Sequence, residues 1–399
     1  MESYLMEWAS FLFRCLHVIA AIAWIGASFY FVWLDNSLVK PTSEDLKNKG
    51  VDGELWAVHG GGFYNPQKYL VAPKNLPDQL HWFYWEAYTT WLSGFGLFVL
   101  VYLFNANTYL IDRSLFAMTP TLAVILALAF LVCGWIFYDI ICRLFGRNDR
   151  IVAILVALYV AAASFLATQI FAGRAAFLLV GAMMATIMSA NVLMVIIPGQ
   201  RRTVAALRSG QPVDPLNGLR GKQRSVHNTY FTLPVIFAML SHHSSLMYRH
   251  PNNWLILLGM MTAGCLIRHF FVLRHKAQIK LWYPGLGVAI IATLIIALAP
   301  ATQQPANIHS ETLPQRVDFA EVQALISQHC QPCHSAKPTL MPLAPKNFVL
   351  DTAEHIRKQA PMIIEQTVRL KIMPFGNVTQ MTDEERGILS AWYEAEAHE

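Results

Sequence analysis

Charged residues are scarce in this chain. Only 14% of its 399 residues are Asp, Glu, Lys or Arg, whereas 55% are hydrophobic and the mean hydropathy is +0.38. Soluble proteins of this length carry more charge, so the composition excludes that class and indicates a membrane protein. Nucleic-acid-binding motifs are absent as well. The net charge of +5 needs no anionic polymer as a partner, because basic residues also set the topology of membrane proteins.

Cysteines are few, and only two of the six lie close together. They form the segment Cys330-Gln331-Pro332-Cys333-His334, which is typical of a c-type haem attachment site. Each thiol adds across one vinyl group of the porphyrin, and His334 becomes the proximal iron ligand. A structural zinc site would need two further ligands nearby, and a thioredoxin-like dithiol normally lies in a βαβ pattern that this sequence lacks. We interpret the motif as the site of one covalent haem c.

Apolar segments long enough to cross a membrane occur eight times before residue 300. A hydrocarbon layer of roughly 30 Å needs ~20 residues of helix. We place the segments at about 9–34, 87–104, 119–142, 151–170, 174–197, 228–248, 253–273 and 281–300. The sequence therefore predicts an all-α protein with a polytopic helical bundle in residues 1–300, a linker at 301–314 and a C-terminal domain at 315–399.

Lysine and arginine are distributed unevenly between the loops. If the N-terminus faces outward, the inward loops carry 17 Lys and Arg residues, whereas the short outward loops carry only Arg113 and Arg249. This asymmetry predicts an outward N-terminus and, after eight crossings, an outward C-terminal domain. Haem is attached to CxxCH proteins on that side of the bacterial inner membrane, so the two arguments agree.

The first inward loop, residues 35–86, is long and rich in aromatic residues and glycine. It contains His59-Gly60-Gly61-Gly62-Phe63-Tyr64 and ends in His81-Trp82-Phe83-Tyr84-Trp85-Glu86. Long loops of this kind are usually functional or disordered, and the aromatic content argues against disorder. One interpretation makes the aromatic run an interfacial belt. The other makes the loop the floor of a binding site, and both can hold together.

Ionisable residues inside the apolar segments are costly and are therefore functional candidates. Their depths predict two tiers, as a pair of stacked b-type haems would need. The outer tier contains His17 with His242 or His243, and the inner tier contains His269 with His227, His81 or His59. The alternative for each histidine is an ordinary hydrogen bond between helices. Arg268 is a candidate for binding a substrate anion or a haem propionate.

The C-terminal segment has the pattern of a class I-like cytochrome c domain. An amphipathic helix over 317–329 leads into the CxxCH motif, a second helix is predicted at 353–370, and a third begins at Thr382-Asp383-Glu384-Glu385. Met373, just before Pro374, is our preferred second iron ligand. Its thioether would raise the reduction potential. Met341 is the rival, but it follows His334 by only seven residues.

Over essentially its whole length the chain resembles bacterial membrane-bound, cytochrome c-type urate oxidases. The resemblance is carried by the stretches 16–26, 60–64 and 81–91 and by the CxxCH motif with its downstream Met-Pro. It implies eight membrane helices fused to a cytochrome c and the oxidation of urate to 5-hydroxyisourate. It also implies that electrons pass to a cytochrome rather than to oxygen. The first stretch is similar to haem-binding membrane protoporphyrinogen oxidases as well, which makes His17 the best haem b candidate.

Given this resemblance, residue type and location suggest the substrate site. Glu86 or His81 would act as general base, with His59 and Arg268 nearby as further catalytic candidates. The urate anion would be paired and stacked by the remaining candidates, Lys68, Lys74, Trp82 and Trp85. Membrane anchoring is the alternative role for both lysines.

The expected partners are urate, the lipid bilayer and an external electron acceptor, either a soluble periplasmic cytochrome c or a terminal oxidase. A single electron hop across roughly 30 Å of hydrocarbon is implausible, so one or two haem b groups are expected besides haem c. The competing function is a cytochrome b/c subunit that relays electrons from quinol or a partner dehydrogenase. A pure relay, however, has no need of the aromatic loop at 35–86.

Overall fold

A computed structural model gives the fold of the chain. It describes residues 2–69, 73–113, 115–241, 243–299, 317–341, 344–345, 348–369 and 371–396. The protein is mostly helical, as the sequence predicts. The predicted linker at 301–314 lies outside the described residues, as does His242.

The membrane unit, residues 2–299, is built from long helices joined by short segments. Two helices continue into π-helical turns, at Val99–Leu103 and at Asn191–Ile196. The helices are α1 (Glu2–Ser37), α2 (Glu44–Lys49), α3 (Trp85–Phe98), α4 (Ala106–Tyr109), α5 (Pro120–Phe145), α6 (Asp149–Ile170), α7 (Gly173–Ala190), α8 (Ile197–Arg208), α9 (Pro215–Ser241), α10 (Ser245–Tyr248), α11 (Asn253–His275) and α12 (Trp282–Ala297).

Among the described residues, five helical segments are long and apolar enough to cross a membrane. They are Trp8–Ser37, Pro120–Phe145, Asp149–Ile170, Gly173–Arg208 and Asn253–His275. Helices α3, α9 and α12 coincide with the other three predicted crossings, and α12 is apolar but has only 16 residues. For these three helices, membrane crossing stays a prediction.

The surface of the helix bundle is apolar. Large hydrophobic side chains such as Ile19, Ile22, Leu158 and Ile295 are each more than 60% exposed. The centre of the bundle is α7, whose side chains are largely buried against α5, α6 and α9. An apolar exterior around a packed helical core is the arrangement that a lipid environment requires.

The loop at 35–86 contains short strands that the sequence analysis did not predict. Strands β1 (Val51–Glu54) and β4 (Gln67–Tyr69) pair antiparallel, and between them lies a hairpin of β2 (Ala57–His59) and β3 (Gly62–Tyr64). The hairpin turn is Gly60-Gly61, with φ of 58° and 80°. Glycine adopts such positive angles without the steric cost that other residues have. The glycines therefore serve the turn.

The C-terminal unit, from Val317 onward, is a small helical domain with its own hydrophobic core. Its elements are α13 (Phe319–His329), α14 (Ala353–Lys358), α15 (Ala360–Ile364), a π-helical turn (Glu365–Arg369), a 3-10 turn (Phe375–Asn377) and α16 (Asp383–Glu396). Leu325, Ile326, Ile356 and Leu389 are among the core residues. The helix predicted at 353–370 is thus divided, and Pro361 lies at the start of its second piece.

Helix α9 differs most from its predicted bounds of 228–248. It begins at Pro215, 13 residues before the predicted start, so the polar stretch 215–227 belongs to the helix. It ends at Ser241, before the predicted end. The Ser241 hydroxyl donates to the carbonyl oxygen of Ala238 at 2.7 Å, and a polar Ser/His run follows. Such residues compete with the backbone hydrogen bonds of a helix and favour its termination.

Candidate functional site

The CxxCH segment forms a turn directly after α13. The amides of Cys333 and His334 both donate to the carbonyl oxygen of Cys330, at 3.1 and 2.8 Å. His334 Nδ1 donates to the carbonyl oxygen of Phe348 at 3.0 Å. Because a carbonyl oxygen only accepts, this bond keeps the proton on Nδ1 and leaves the Nε2 lone pair for a metal.

Burial also shifts the pKa values of the ionisable groups in this segment. Both cysteines are free thiols, and burial raises the pKa of Cys330 to about 12 and also raises the pKa of Cys333. Burial lowers the pKa of His334, so the imidazole is neutral at neutral pH. Within the described residues, no group of three or more His, Cys, Asp or Glu side chains is placed to hold a metal ion. The residues present therefore fit a covalent haem better than zinc.

The Met373 loop, residues 371–377, is held firmly by the C-terminal unit. The amides of Ile372 and Met373 donate to the carbonyl oxygen of Gln366 at 2.7 and 2.9 Å. The buried Arg386 of α16 donates from Nη1 to the carbonyl oxygen of Met373 at 2.8 Å and also to that of Thr367. The rival Met341 lies in an irregular segment after the motif. The backbone at Met373 is thus fixed by bonds to two neighbouring elements.

His17 is oriented by α3. Its Nδ1 donates to the carbonyl oxygen of Thr90 at 3.0 Å, again leaving Nε2 with its lone pair. Gly94 makes room for the ring, since a Cβ there would lie 2.8 Å from Cε1 of His17. The ring is half-buried. A fixed tautomer with a free Nε2 inside the helix bundle fits a haem iron ligand.

The other candidate histidines are placed less favourably for iron. Nδ1 of His227 lies 2.7 Å from the hydroxyl of Tyr138, and Nδ1 of His269 lies 2.6 Å from the hydroxyl of Tyr230. A hydroxyl both donates and accepts, so these bonds do not fix the tautomer. His243 lies in an exposed turn beyond the end of α9. The structure therefore does not bring it to His17 through a continuous helix.

Arg268 is the most unusual polar residue of the bundle. It is only 3% exposed, and its Nε and Nη2 have no hydrogen-bond partner in the described part of the structure. These two nitrogens form the edge of the guanidinium whose N–H bonds point in parallel. The guanidinium carbon lies 3.8 Å from the ring centroid of Phe29 in α1. A buried, unpaired fork of this kind is suited to a planar anion with two adjacent acceptor atoms.

Three predicted site residues of the first loop have other roles in the structure. Lys68 donates to the carboxylate of Asp35 at the end of α1, and burial together with the charge of Lys222 lowers its pKa. Lys74 donates to the carbonyl oxygen of Asn48 at 2.5 Å. His59 is exposed at the hairpin turn. Their contacts agree with loop anchoring, and none of them contacts Arg268 in the bonds observed.

The aromatic run at the start of α3 packs partly inward and partly outward. Trp82 packs against the small buried cluster of Ala87, Val192 and Ile197. Trp85 is 63% exposed, which suits a membrane-interface position. His81 is exposed, and Glu86 is half-buried in the first turn of α3.

The last turns of α1 connect these segments to Arg268. Phe29 contacts Arg268, the ring of Phe31 lies 4.8 Å from that of Phe83, and Asp35 pairs with Lys68. The ring of Phe83 in turn lies 4.7 Å from that of His81. The structure therefore brings Arg268 and the end of the aromatic loop to the same end of the bundle.

A second polar cluster, whose residues were not among the predicted site residues, joins α5, α7 and α9. Arg224 is 4% exposed and donates to Asp139 at 2.6 Å. The amide of Asn191 donates to Tyr138 and to Asn228, at 3.1 and 2.9 Å. The i, i+4 spacing of Arg224 and Asn228 could have indicated this cluster, but the predicted helix begins only at residue 228, which leaves Arg224 in a loop.

Five helices of membrane-spanning length and polar sites between buried helices are consistent with a membrane protein. The chain belongs to the urate oxidase N-terminal family, which it matches over residues 3–299. This membership indicates a urate-related function and suggests an oxidoreductase that acts on urate. No curated protein matches the chain, and no solved structure matches it.

Proposed function

We propose that the protein oxidises urate to 5-hydroxyisourate and passes the electrons to a haem c in its C-terminal unit. The observation that carries the proposal is Arg268, a buried guanidinium with two parallel donors that meet no acceptor among the described residues, in a chain of the urate oxidase N-terminal family. Leaving buried charged donors unpaired costs about 1–3 kcal/mol or more. A urate anion, which presents neighbouring oxygen and nitrogen acceptors on one planar edge, would remove that cost.

The reaction balances without oxygen as a reactant. A urate monoanion and one water give 5-hydroxyisourate, one proton and two electrons. The new C–O bond forms at C5 from water, whose proton must be accepted nearby. Glu86 and His81 are the proposed general bases, because they lie at the end of the bundle that holds Arg268. Arg268 would bind the anion and stabilise the negative charge of the substrate.

In the proposed electron path, His17 would lie between the end of the bundle that holds Arg268 and the end that faces the C-terminal unit. Phe29 follows His17 by 12 residues on α1, or about 18 Å at 1.5 Å per residue. In the other direction, Leu103, the last residue of the π-helical extension of α3, follows Gly94 beside His17 by nine residues, or about 14 Å along the axis. A single hop over the sum of these distances is implausible. His17 would hold a haem b that supplies an intermediate one-electron centre.

In the C-terminal unit, Cys330 and Cys333 would attach haem c, with His334 and Met373 as iron ligands. Methionine ligation gives such a haem a high reduction potential, suited to accepting electrons. The proposed location is the bacterial inner membrane, with the N-terminus and the C-terminal unit in the periplasm. The electrons would leave there to a soluble cytochrome c or a terminal oxidase.

The test is urate-dependent reduction of added cytochrome c by membranes that contain the protein. We expect reduction with urate, none with xanthine, and formation of 5-hydroxyisourate without hydrogen peroxide. Reduction by a quinol in the absence of any urate response would overturn the proposal and favour the relay function.

A further inference from the structure

We propose that Tyr109, Arg174 and Phe375 form a docking contact that holds the Met373 loop against the membrane unit. The guanidinium carbon of Arg174 lies 5.5 Å from the ring centroid of Tyr109 and 5.4 Å from that of Phe375. The two rings are 5.2 Å apart in an edge-to-face arrangement. The cation therefore contacts one ring from each unit, an arrangement that is stabilising at partly buried sites.

The backbone of the loop also lies against the membrane unit. A Cβ at Gly376 would be 3.3 Å and 3.4 Å from the carbonyl oxygens of Ile111 and Thr108. Gly376 has φ of 60°, so any larger residue meets both a strained backbone and a close contact. The loop next to Phe375 is thus shaped to approach the segment 105–111 closely.

The membrane side of this contact is rigid. Leu110 and Ile111 are at most 2% exposed and belong to the main core of the bundle. The carbonyl oxygen of Leu110 accepts from the amide of Ala172 at 3.0 Å, which ties the segment to the start of α7. Arg174 lies in the first turn of α7. The contact surface therefore moves with the core of the membrane unit.

The CxxCH motif approaches the same surface. The amides of Thr339 and Leu340 both donate to the carbonyl oxygen of Pro332 within the motif, at 3.0 and 2.9 Å. Thr339 and Leu340 line a cavity of about 620 Å³ whose other walls are residues 103–108 and Pro120, Thr121, Val124 and Ile125 of the membrane unit. The segment that follows the motif and the Met373 loop thus both face the same end of the bundle.

This arrangement gives the three residues a function beyond packing. Met373 is two residues before Phe375, and its backbone is fixed by Gln366 and Arg386. Holding Phe375 therefore sets the position of the whole loop relative to the bundle. We assign Tyr109, Arg174 and Phe375 as positioning residues for electron transfer between the units. This assignment rests on the proposed function, whereas the docking contact does not.

The docking contact is tested by photo-crosslinking in the full-length chain. The photoreactive analogue p-benzoylphenylalanine at position 109 keeps an aromatic ring there and should crosslink to the peptide that contains Phe375. Arg174→Gln and Phe375→Ala should each lower this product by about five-fold. Arg113→Gln, which removes a positive charge at an exposed position four residues after Tyr109, is the matched control and should leave the product unchanged. Crosslinks spread over the C-terminal unit, or yields that the variants do not change, would overturn the contact.

The positioning role is tested by the rate at which haem c is reduced. Arg174→Gln should slow reduction by urate but not reduction by ascorbate, which acts directly on haem c. Because Arg174 belongs to the membrane unit, its substitution leaves the C-terminal fold intact, and an unchanged haem c spectrum checks this. Equal urate rates in wild type and variant would overturn the positioning role. A wild type that shows the crosslink but no urate response would refute the proposed function and leave the docking contact standing.

Discussion

Gly94 of α3 lies so close to His17 of α1 that a Cβ added to the glycine would be 2.8 Å from Cε1 of the imidazole. The close approach is what allows His17 Nδ1 to donate to the carbonyl oxygen of Thr90 at 3.0 Å. The same relationship, an imidazole whose Nδ1 donates to a carbonyl oxygen, occurs at His334 in the C-terminal unit. The two histidines proposed as iron ligands in separate units thus share one tautomer.

The first prediction concerns Gly94→Ala. The added methyl group should displace the His17 ring and lower the content of non-covalent haem, as His17→Ala should also do. The measurement is the ratio of b-type to c-type haem in the pyridine haemochrome of the purified protein, in which haem c is the internal reference. Gly26→Ala is the control on α1, because nothing lies within 4 Å of a Cβ at that position. An unchanged ratio in Gly94→Ala and in His17→Ala would contradict the assignment.

The second prediction concerns the guanidinium fork of Arg268. Arg268→Lys keeps the charge but loses the paired donors, and Arg268→Gln loses both. We expect each to lower kcat/KM for urate by about 10- to 100-fold, the usual effect of losing hydrogen bonds to a charged group. Arg274→Gln, at an exposed position of the same helix, is the control. Full activity of Arg268→Lys would show that charge alone is needed and that the paired donors are not.

The third prediction separates the two methionines proposed for haem c. Met373→Leu should lower the reduction potential of haem c by on the order of 100 mV, since axial ligation sets haem potentials over a wide range. Met341→Leu should leave the potential unchanged. Spectroelectrochemical titration of the full-length protein measures both. The reverse result would assign the ligand to Met341.

Much of the membrane unit could be predicted because the signals are local. A long apolar run is visible in the sequence itself, and helices lie at all eight predicted positions. Residues 215–227 of α9, which were not predicted to be helical, depend instead on a contact between residues far apart in the sequence. The first turns of α9 contain Arg220, Lys222 and Arg224. They are stabilised by the hydrogen bond from Arg224 to Asp139 of α5. Because Arg224 and Asp139 are 85 residues apart in the sequence, no local sequence pattern indicates that they pair.

In the candidate site, too, local features could be predicted from the sequence, whereas contacts between distant residues could not. The CxxCH motif and Met373 could be named from spacing alone. The hairpin at 57–64 had a usable signal, since two glycines between short apolar runs are typical of such a turn. The pairing of Lys68 with Asp35 and the unpaired state of Arg268 depend on which helices become neighbours. Residue type could select Arg268 as a candidate, but only the fold shows that two of its donors have no acceptor in the part of the chain that the structure describes.

The fourth prediction concerns the pH dependence of the C-terminal unit. Glu385 and Thr382 form a reciprocal cap at the start of α16: Thr382 N donates to Glu385 Oε2 at 2.7 Å, and Glu385 N donates to Thr382 Oγ1 at 3.2 Å. His329 Nε2 lies 3.2 Å from the other carboxylate oxygen. Burial works against ionisation of Glu385, but the bonds from Thr382 and His329 outweigh it and lower its pKa.

A carboxyl group whose pKa is lower in the folded state stabilises the fold above its unfolded pKa, and this contribution is lost as the pH falls through the folded pKa. We therefore expect the C-terminal unit to lose stability on acidification below the normal range of a glutamate. Glu385→Ala, which removes both the cap acceptor and the titrating carboxyl, should lower the free energy of unfolding by about 1 kcal/mol at neutral pH and should reduce this pH dependence. Denaturant titration followed by circular dichroism of the haem c absorption band measures both effects. Glu384→Gln, at the exposed neighbouring position, should keep the wild-type profile, and an equal loss in both variants would show that general helix charge, not the cap, is responsible.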